Sequence, residues 1–595
     1  MERGEAQDEK PAEAGPLPLS IRDLEVRLHQ RDQVVHALRG VDFDVARGEI
    51  VALVGESGSG KSTLSLAVQG LLSAAARPEV TGSVLVDGTE VVGAPGSTLR
   101  RVRRERVRSI FQDPMTSLNP TMRVGHQLAE AARDDRPPEA WLERVGIAQP
   151  ARRVNAFPHE LSGGERQRVM IAMAMSGKPV LVLADEPTTA LDVTVQAQIL
   201  ELIRELRRDS DTAFVFVTHD LAVATTVADR IAVIYGGRIV ESGSVEQVVA
   251  NPAHPYSAAL LEARFGLDAD KGHQLPTLRG DPASATMIED ACSFAPRCLL
   301  ARDDCRATRP PLAPVRQHDG RAACLHSDEV TPELWQRTAS PWSRAPTEPP
   351  EPIVVIENLR QTFMLRGRDK SGKVVALDGV NLTMRKGEAV AIVGESGSGK
   401  SSLLKVIAGL ATADSGTCRH ESSVRPQMVF QDAAASLTPW MKIGDLARER
   451  LKPLGLTAAE QEQRIATALE RVGLSPSLAS RLPAQLSGGQ QQRAAIARAI
   501  IVPPDLLLCD EPVSGMDVSL AAAILNLLGE LRRELGMALL FVTHDLSAAR
   551  FIADRMLVMQ RGRLVEDGTS EQIVSAPTND YTRELLASMP GAGVV

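Results

Sequence analysis

The stretch Gly55-Glu56-Ser57-Gly58-Ser59-Gly60-Lys61-Ser62 returns letter for letter as Gly394-Glu395-Ser396-Gly397-Ser398-Gly399-Lys400-Ser401, so the chain reads as two copies of one unit. The pattern G-x-x-x-x-G-K-[ST] is a phosphate grip, and its surroundings agree. Apolar runs, Val51 to Val54 and Val390 to Val393, precede the two copies, and a helical pattern follows each. The expected order is strand, loop, helix, with the first helix running from Lys61 to about Leu72. Glycines at 55, 58 and 60, and at 394, 397 and 399, let backbone N–H groups turn toward phosphate oxygens at a helix N-terminus. Lys61 and Lys400 are placed to reach the β- and γ-phosphates, and Ser62 and Ser401 to hold Mg²⁺. Ser57 and Ser396 within the loops, and Thr63 and Ser402 just after them, complete the candidate cradle.

At 595 residues the chain exceeds what one core can organise. A net charge of −8 and a pI near 5.9 argue against a nucleic-acid protein held by charge, and no nucleic-acid partner is expected. The N-terminus, MERGEAQDEKPAEAGP, is charged and lacks the apolar core of a signal peptide, and no uncharged apolar run reaches membrane-spanning length. A cytoplasmic chain is therefore expected, with residues 1 to 18 as a disordered tail. In that setting the six cysteines read as metal ligands or buried thiols rather than disulfides.

Along the first copy, Arg100, Arg101, Arg103, Arg104, Arg106 and Arg108 form a basic run without interleaved aromatics, which reads as a solvated face before a strand. Phe111-Gln112-Asp113-Pro114 follows, a glutamine opening a proline-bearing loop, where its amide can touch a metal or a water. Ser162 suits an N-cap, and Gly163 and Gly164 leave backbone amides bare for an anion. The run Val180 to Ala184 ends in Asp185-Glu186, one carboxylate placed for Mg²⁺ and the next for polarising water. Phe214 to Val217 is a further strand, capped by His219. Gln431, Ser487 with Gly488 and Gly489, Asp510-Glu511 and His544 repeat the set. Serine, glutamate and histidine pairs share one separation, 325 residues, so the latter part of the repeat carries no net insertion.

Cys292, Cys298, Cys305 and Cys324 fall within 33 residues that the second copy lacks. Their spacing, without a C-x2-C pair, leaves tetrahedral Zn²⁺ and a [4Fe-4S] cluster both open. Cys418 and Cys509 lie in strand-like runs and read as core thiols. Residues 331–351, with Pro332, Pro341, Pro346, Pro349 and Pro350, read as a semi-rigid linker.

Phosphate loop, glutamine, LSGG, Asp-Glu and His in this order resemble the nucleotide-binding domain of ABC ATPases over nearly all of 19–255 and 352–590. The resemblance implies an α/β fold of tandem P-loop NTPase domains, 19–255 and 352–595, each with a RecA-like core, an antiparallel β subdomain and a helical subdomain. It implies head-to-tail closure on ATP. One site would join Lys61, Ser62, Gln112, Asp185, Glu186 and His219 to Ser487, Gly488 and Gly489. The other would join Lys400, Ser401, Gln431, Asp510, Glu511 and His544 to Ser162, Gly163 and Gly164. Mg²⁺ falls to Ser62, Gln112 and Asp185, and to Ser401, Gln431 and Asp510; the catalytic pairs are Glu186 with His219 and Glu511 with His544. Phe363 fits the family's adenine-stacking place, where the first copy has Leu28. Asp192 and Asp517 imply cross-talk between the sites.

The extension at 256–330, after Asn251-Pro252-Ala253-His254-Pro255-Tyr256, resembles that of oligopeptide and dipeptide importer ATPases, in some of which it carries an iron-sulfur cluster. That favours [4Fe-4S], with Zn²⁺ the alternative. The implied role is the ATP-hydrolysing energy-coupling subunit of an importer of the peptide and nickel class, for di- or oligopeptides first. A nickel, opine or glutathione importer is the alternative, and a tandem translation or ribosome factor a more distant one, since this linker is proline-rich and the N-terminus has no cysteines. Implied partners are two permease subunits, received at Asp113 to Met122 and Asp432 to Trp440, and an extracytoplasmic substrate-binding protein. The chain would then sit peripherally on the cytoplasmic face of the membrane.

Overall fold

A computed structural model describes residues 15–30, 33–133, 135–189, 191–278, 280, 291–316, 318–338, 340–342, 351–364, 372–421 and 424–589. Each half is built on a mainly parallel sheet whose central strands are apolar on both faces. Ile50–Val54 (IVALV) and Ala389–Val393 (AVAIV) are buried at every position, as expected of strands covered from both sides. In the second half the order is Pro426–Val429, Leu506–Asp510, Ala538–Val542, Ala389–Val393, Arg555–Gln560, Arg563–Thr569. The first half follows the same order, from Val107–Ile110 through Leu181–Asp185, Ala213–Thr218, Ile50–Val54 and Arg230–Tyr235 to Arg238–Ser244. Two short strands, Arg321–Ala322 and Ala313–Pro314, then extend it, and both come from the cysteine-bearing extension. They cover an edge that ends openly in the second half.

An antiparallel sheet leads into each phosphate loop, with Leu19–Gln30 paired to Gln33–Val45 in one half and Pro352–Met364 to Lys373–Arg385 in the other. Helices between the glutamine and Asp-Glu strands form the third layer, and their apolar faces join the sheet's core. Trp141, Leu142 and Ile171 cluster with Ile110, Val182 and Phe216. These three layers agree with the α/β tandem architecture. The first phosphate-loop helix stops at Gln69, short of Leu72, because Gly70 takes a left-handed conformation with φ 59° and caps it. Cys509 is buried, whereas Cys418, on the edge strand Ser415–His420, is only half-buried.

Two segments differ from expectation. The extension is not confined to the first half: Phe265, Leu267, Ala269 and the buried Leu275 pack on the second half's core. The Asn526 side chain exchanges hydrogen bonds with the Leu275 backbone, at 2.9 and 2.8 Å. The described part of 331–351 is also folded rather than an extended spacer. Pro332–Thr338 forms a short 3₁₀ helix, and the Trp335 side chain, 1% exposed, donates from its indole to the Pro255 carbonyl at 3.0 Å. Trp342 donates to the Lys271 carbonyl at 2.8 Å, and the Arg533 guanidinium lies 3.9 Å from its ring centroid. Two tryptophans with satisfied N–H groups anchor what proline content alone describes as stiff and free. The rest of the proposed linker, 339 and 343–350, and the tail at 1–14 lie outside the described residues. Among the described residues, no helix is long and apolar enough to cross a membrane.

Trp335→Ala is expected to cost about 3–5 kcal/mol of stability, as for other buried aromatic truncations. Trp440→Ala, at an 80% exposed position, is expected to stay within about 0.5 kcal/mol. Equilibrium urea unfolding of both variants checks the contrast.

Candidate functional site

The loops after Val54 and Val393 pass so close to their own halves that some of their glycines leave no room for a side chain. A Cβ on Gly55 would come within 2.2 Å of the Ile234 carbonyl, and one on Gly399, at φ 108°, within 2.2 Å of the Ala376 carbonyl. Lys61 folds back into its loop, donating to the carbonyls of Gly55 at 2.6 Å and Glu56 at 3.0 Å. Lys400 does the same with Gly394 at 2.6 Å and Glu395 at 2.8 Å. Burial pulls both ammonium pKa values below the usual lysine range. Ser57 and Ser396 are exposed, and Thr63 and Ser402 lie in the first turns of the following helices.

Each carboxylate predicted for the metal meets its predicted hydroxyl. Ser62 Oγ donates to Asp185 Oδ1 at 3.4 Å, and Ser401 Oγ to Asp510 Oδ1 at 3.0 Å. Burial, together with the adjoining glutamate's charge, holds Asp185 and Asp510 above the ordinary aspartate value. Such oxygens gain most from a divalent cation.

Glu186 and Glu511 are each held from two sides. Gln112 Nε2 donates to Glu186 Oε2 at 3.1 Å, and His219 Nδ1 lies 3.2 Å from Oε1. In the second copy the Gln431–Glu511 and His544–Glu511 distances are 3.1 and 3.3 Å. Both glutamates have positive φ, 46° and 45°. A non-glycine residue adopts that conformation at a cost of about 1–3 kcal/mol, so the surrounding bonds must enforce it. Burial alone would lower the two histidines and raise the two glutamates. The hydrogen bond and opposite charge outweigh it, so His219 and His544 are raised and Glu186 and Glu511 lowered.

Ser162 and Ser487 cap their helices in full capping boxes, accepting from the Glu165 and Gln490 amides at 3.2 and 3.3 Å. Gly163 and Gly164, and Gly488 and Gly489, open those helices. Near the two phosphate loops, the halves approach each other through the neighbouring aspartate segments. Asp517 acts electrostatically on Lys61, Asp192 acts on Lys400, and Gly515 approaches Thr189. Among the described residues, no hydrogen bond or ion pair joins either LSGG to the opposite phosphate loop; Ala190 lies outside them. Phe363 is 49% exposed, opposite Val374, while Leu28 packs partly into its own half. The arginine run is not simply solvated. Arg103 donates to the Gln69 carbonyl at 2.8 Å, Arg106 pairs with Asp87, and Arg108 donates to the Ala131 carbonyl at 3.2 Å.

Cys292, Cys298, Cys305 and Cys324 line one pocket, with His254, Phe294 and His326. None is in a disulfide. The Cys298 sulfur accepts from the Leu300 amide at 3.3 Å and the Cys324 sulfur from the His326 amide at 3.4 Å. Burial pushes Cys298 up to about 11 and Cys324 up to about 12, so a cation is needed to hold them as thiolates. Four thiols and an imidazole around one pocket are soft donors of the kind a metal centre takes. Three or more metal-ligating atoms lie within 4.8 Å of one another only at Asp304, Cys305 and His326, among the described residues.

The motifs did not reveal what supports them. Tyr256 and Tyr581, again 325 residues apart, accept from the Glu56 and Glu395 amides at 2.8 and 3.0 Å. That separation was the available signal. Glu241, fully buried and pushed up to about 7, accepts from the Ala253 and His254 amides at 2.7 and 2.9 Å and so fixes the helix that carries Tyr256.

Residues 38–189 and 377–514 match the family described as ABC transporter, and residues 240–305 match oligopeptide/dipeptide transporter, C-terminal region. The chain is 42% identical over 607 residues to the oligopeptide transport ATP-binding protein OppD of Mycobacterium tuberculosis (strain ATCC 25618 / H37Rv), covering 96% of this chain and 98% of that protein. It is 37% identical over 606 residues to the glutathione import ATP-binding protein GsiA of Escherichia coli (strain K12), covering 96% and 90%. The archaeal ribosome recycling factor aABCE1, solved with stalk protein aP1, aligns at a TM-score of 0.53 and 19% identity, covering 91% of this chain and 90% of that one, a likeness of fold alone.

His219 and His544 are expected to titrate above 6.5 in the nucleotide-free chain. In Glu186→Gln, His219 should fall while His544 stays, because burial is then unopposed at the first site only. The stabilisation from each pair is full between the free carboxylate value of 4.5 and the free imidazole value of 6.5. It declines as pH rises through the raised histidine or falls through the lowered glutamate. Histidine-resolved NMR titration reads both shifts.

Proposed function

The chain belongs to the ABC transporter ATP-binding family, in its oligopeptide/dipeptide branch with two fused nucleotide-binding domains, and from that premise we propose that it powers import of di- and oligopeptides. As a member it hydrolyses ATP as the energy-coupling subunit of a peptide- or glutathione-type importer. The observation that carries the finer reading is the 42% identity to OppD, which runs through both ATPase halves and the extension between them. Glutathione is the second reading, on the 37% identity to GsiA. The likeness to a ribosome factor is one of fold and does not compete.

Glu186 and Glu511 act as general bases, each accepting a proton from the water that attacks the γ-phosphate. Glutamine and histidine fix the carboxylate's direction, and the depressed glutamate pKa keeps it ionised. Lys61 and Lys400 leave their loop carbonyls for the β- and γ-phosphates. Mg²⁺, held by Ser62, Gln112 and Asp185 or by Ser401, Gln431 and Asp510, neutralises phosphate charge when bound. Ser487 to Gly489 complete the first site and Ser162 to Gly164 the second, each offering bare helix-terminal amides across the interface. Phe363 stacks on adenine in the second site.

Two permease subunits dock on the glutamine loops. The apolar side chains of Met115 and Trp440 are 49% and 80% exposed there, while Leu118 and Leu437, 2% and 1% exposed, anchor each loop from beneath. The chain is thereby peripheral to the cytoplasmic face, with an extracytoplasmic binding protein supplying substrate. The four cysteines hold a [4Fe-4S] cluster. Four cysteines around one pocket, in an extension that matches the oligopeptide/dipeptide transporter C-terminal region, support that reading. Zn²⁺ is the alternative.

In the complex with permeases, Glu186→Gln with Glu511→Gln is expected to lower steady ATPase by about 10² to 10⁴. Unchanged turnover removes the base assignment. Reconstituted complex should be stimulated by binding protein loaded with oligopeptide and not with glutathione; the reverse selects the second reading. Anaerobically purified chain should contain iron and acid-labile sulfide, both lost in Cys298→Ser with Cys324→Ser. Zinc without sulfide excludes the cluster.

A further inference from the structure

In both phosphate loops the second residue is a glutamate, and its backbone is fixed identically. Its N–H is held by a tyrosine hydroxyl and its C=O by the loop lysine. The carboxylates part company. Glu56 receives two parallel hydrogen bonds from the Arg297 guanidinium, Nη1 to Oε2 at 2.7 Å and Nη2 to Oε1 at 3.0 Å. Both side chains are 5% exposed. Among the described residues Glu395 makes no ion pair; Asp192 and Glu584 repel its charge, while the Thr194 side chain of the first half and Arg561 favour its ionised form.

Arg297 comes from the cysteine segment. It ends the turn Ala295–Arg297, immediately before Cys298. Three residues upstream, Phe294 packs on Tyr235 and Tyr256 with ring centroids 5.2 and 5.4 Å apart. Tyr235 also accepts from Arg297 at 3.3 Å. The cysteine segment therefore grips the first loop at the Glu56 carboxylate through Arg297, and braces the tyrosine that holds the Glu56 amide.

We propose that Arg297 is a positioning residue of the first ATP site, through which the order of the cysteine segment sets how tightly the loop 55–62 holds nucleotide, while the second site has no such control. A bidentate guanidinium–carboxylate pair fixes both distance and direction. A buried pair of this kind transmits displacement of one partner to the other, because separation leaves each charge without water. The two sites, which share the phosphate-loop, glutamine, LSGG, Asp-Glu and histidine motifs, are thus unequal in support. The inference rests on the ion pair and holds whichever metal the thiols bind.

Mant-ATP with Mg²⁺ is titrated into full-length chain carrying Lys400→Ala, which reports the first site, or Lys61→Ala, which reports the second. Arg297→Ala is expected to weaken the first site roughly tenfold, within the usual range of site-to-site coupling, and to leave the second within twofold. Arg297→Lys, which keeps the charge without the fork, should fall between. Because Arg297→Ala strands a buried carboxylate, Glu56→Gln with Arg297→Gln serves as a neutral pair that removes that burden; it too should weaken only the first site. Hydrogen exchange should quicken at 55–62 and not at 394–401. Cys298→Ser should reproduce the one-sided loss. Equal weakening of both sites, or none in the neutral pair, overturns the proposal.

Discussion

The chemistry depends on holding unlike charges in one buried place at the ends of parallel strands. Lys61 follows Ile50–Val54, while Asp185 and Glu186 close Leu181–Asp185 one strand further along the sheet, across Ala213–Thr218, and burial opposes ionisation of every one of them. Each is restrained by a specific partner: loop carbonyls for the lysine, a serine hydroxyl for the aspartate, glutamine and histidine for the glutamate. Removing water from these groups is what makes them responsive to phosphate and magnesium, since fixed dipoles need no reorganisation when charge arrives. The same arrangement recurs at Lys400, Asp510 and Glu511 with distances within a few tenths of an ångström.

The strained backbone of Glu186 and Glu511 belongs to the same constraint. Their φ angles of 46° and 45° turn each carboxylate off the strand direction toward the glutamine and histidine. The amide of each bonds to the carbonyl of the neighbouring strand, at Val217 and Val542. The sheet therefore supplies the energy that holds an unfavourable residue conformation.

Much of this was legible in the letters because a repeat is its own control. The two octapeptides, and the serine, glutamate and histidine pairs at one common separation, placed each residue that the strand ends bring together. Less visible was whatever occurs once. Arg297 lies 241 residues from Glu56 in the chain, and an arginine next to a cysteine has no pattern that announces an ion pair. Leu275 and Trp342 were equally hidden, since an extension assigned to one domain and a proline-rich linker give no sign of their partners, Asn526 and Arg533. Linker composition describes intrinsic stiffness and says nothing of aromatic anchors that a neighbouring surface can capture.

Duplication followed by unequal elaboration accounts for the pattern as a whole. In the proposed mechanism the repeated residues serve phosphate, whose chemistry is the same at both sites, and both copies carry them. The unrepeated residues act between elements: Arg297 between the extension and the first loop, Leu275 between that extension and the second half. One segment thus touches both ATPase halves, at the nucleotide grip of one and on the core of the other. A change in its order reaches the first grip through a charge pair and the second half through apolar packing and two hydrogen bonds to Asn526. The charge pair, with no water to soften its loss, is the steeper of the two couplings.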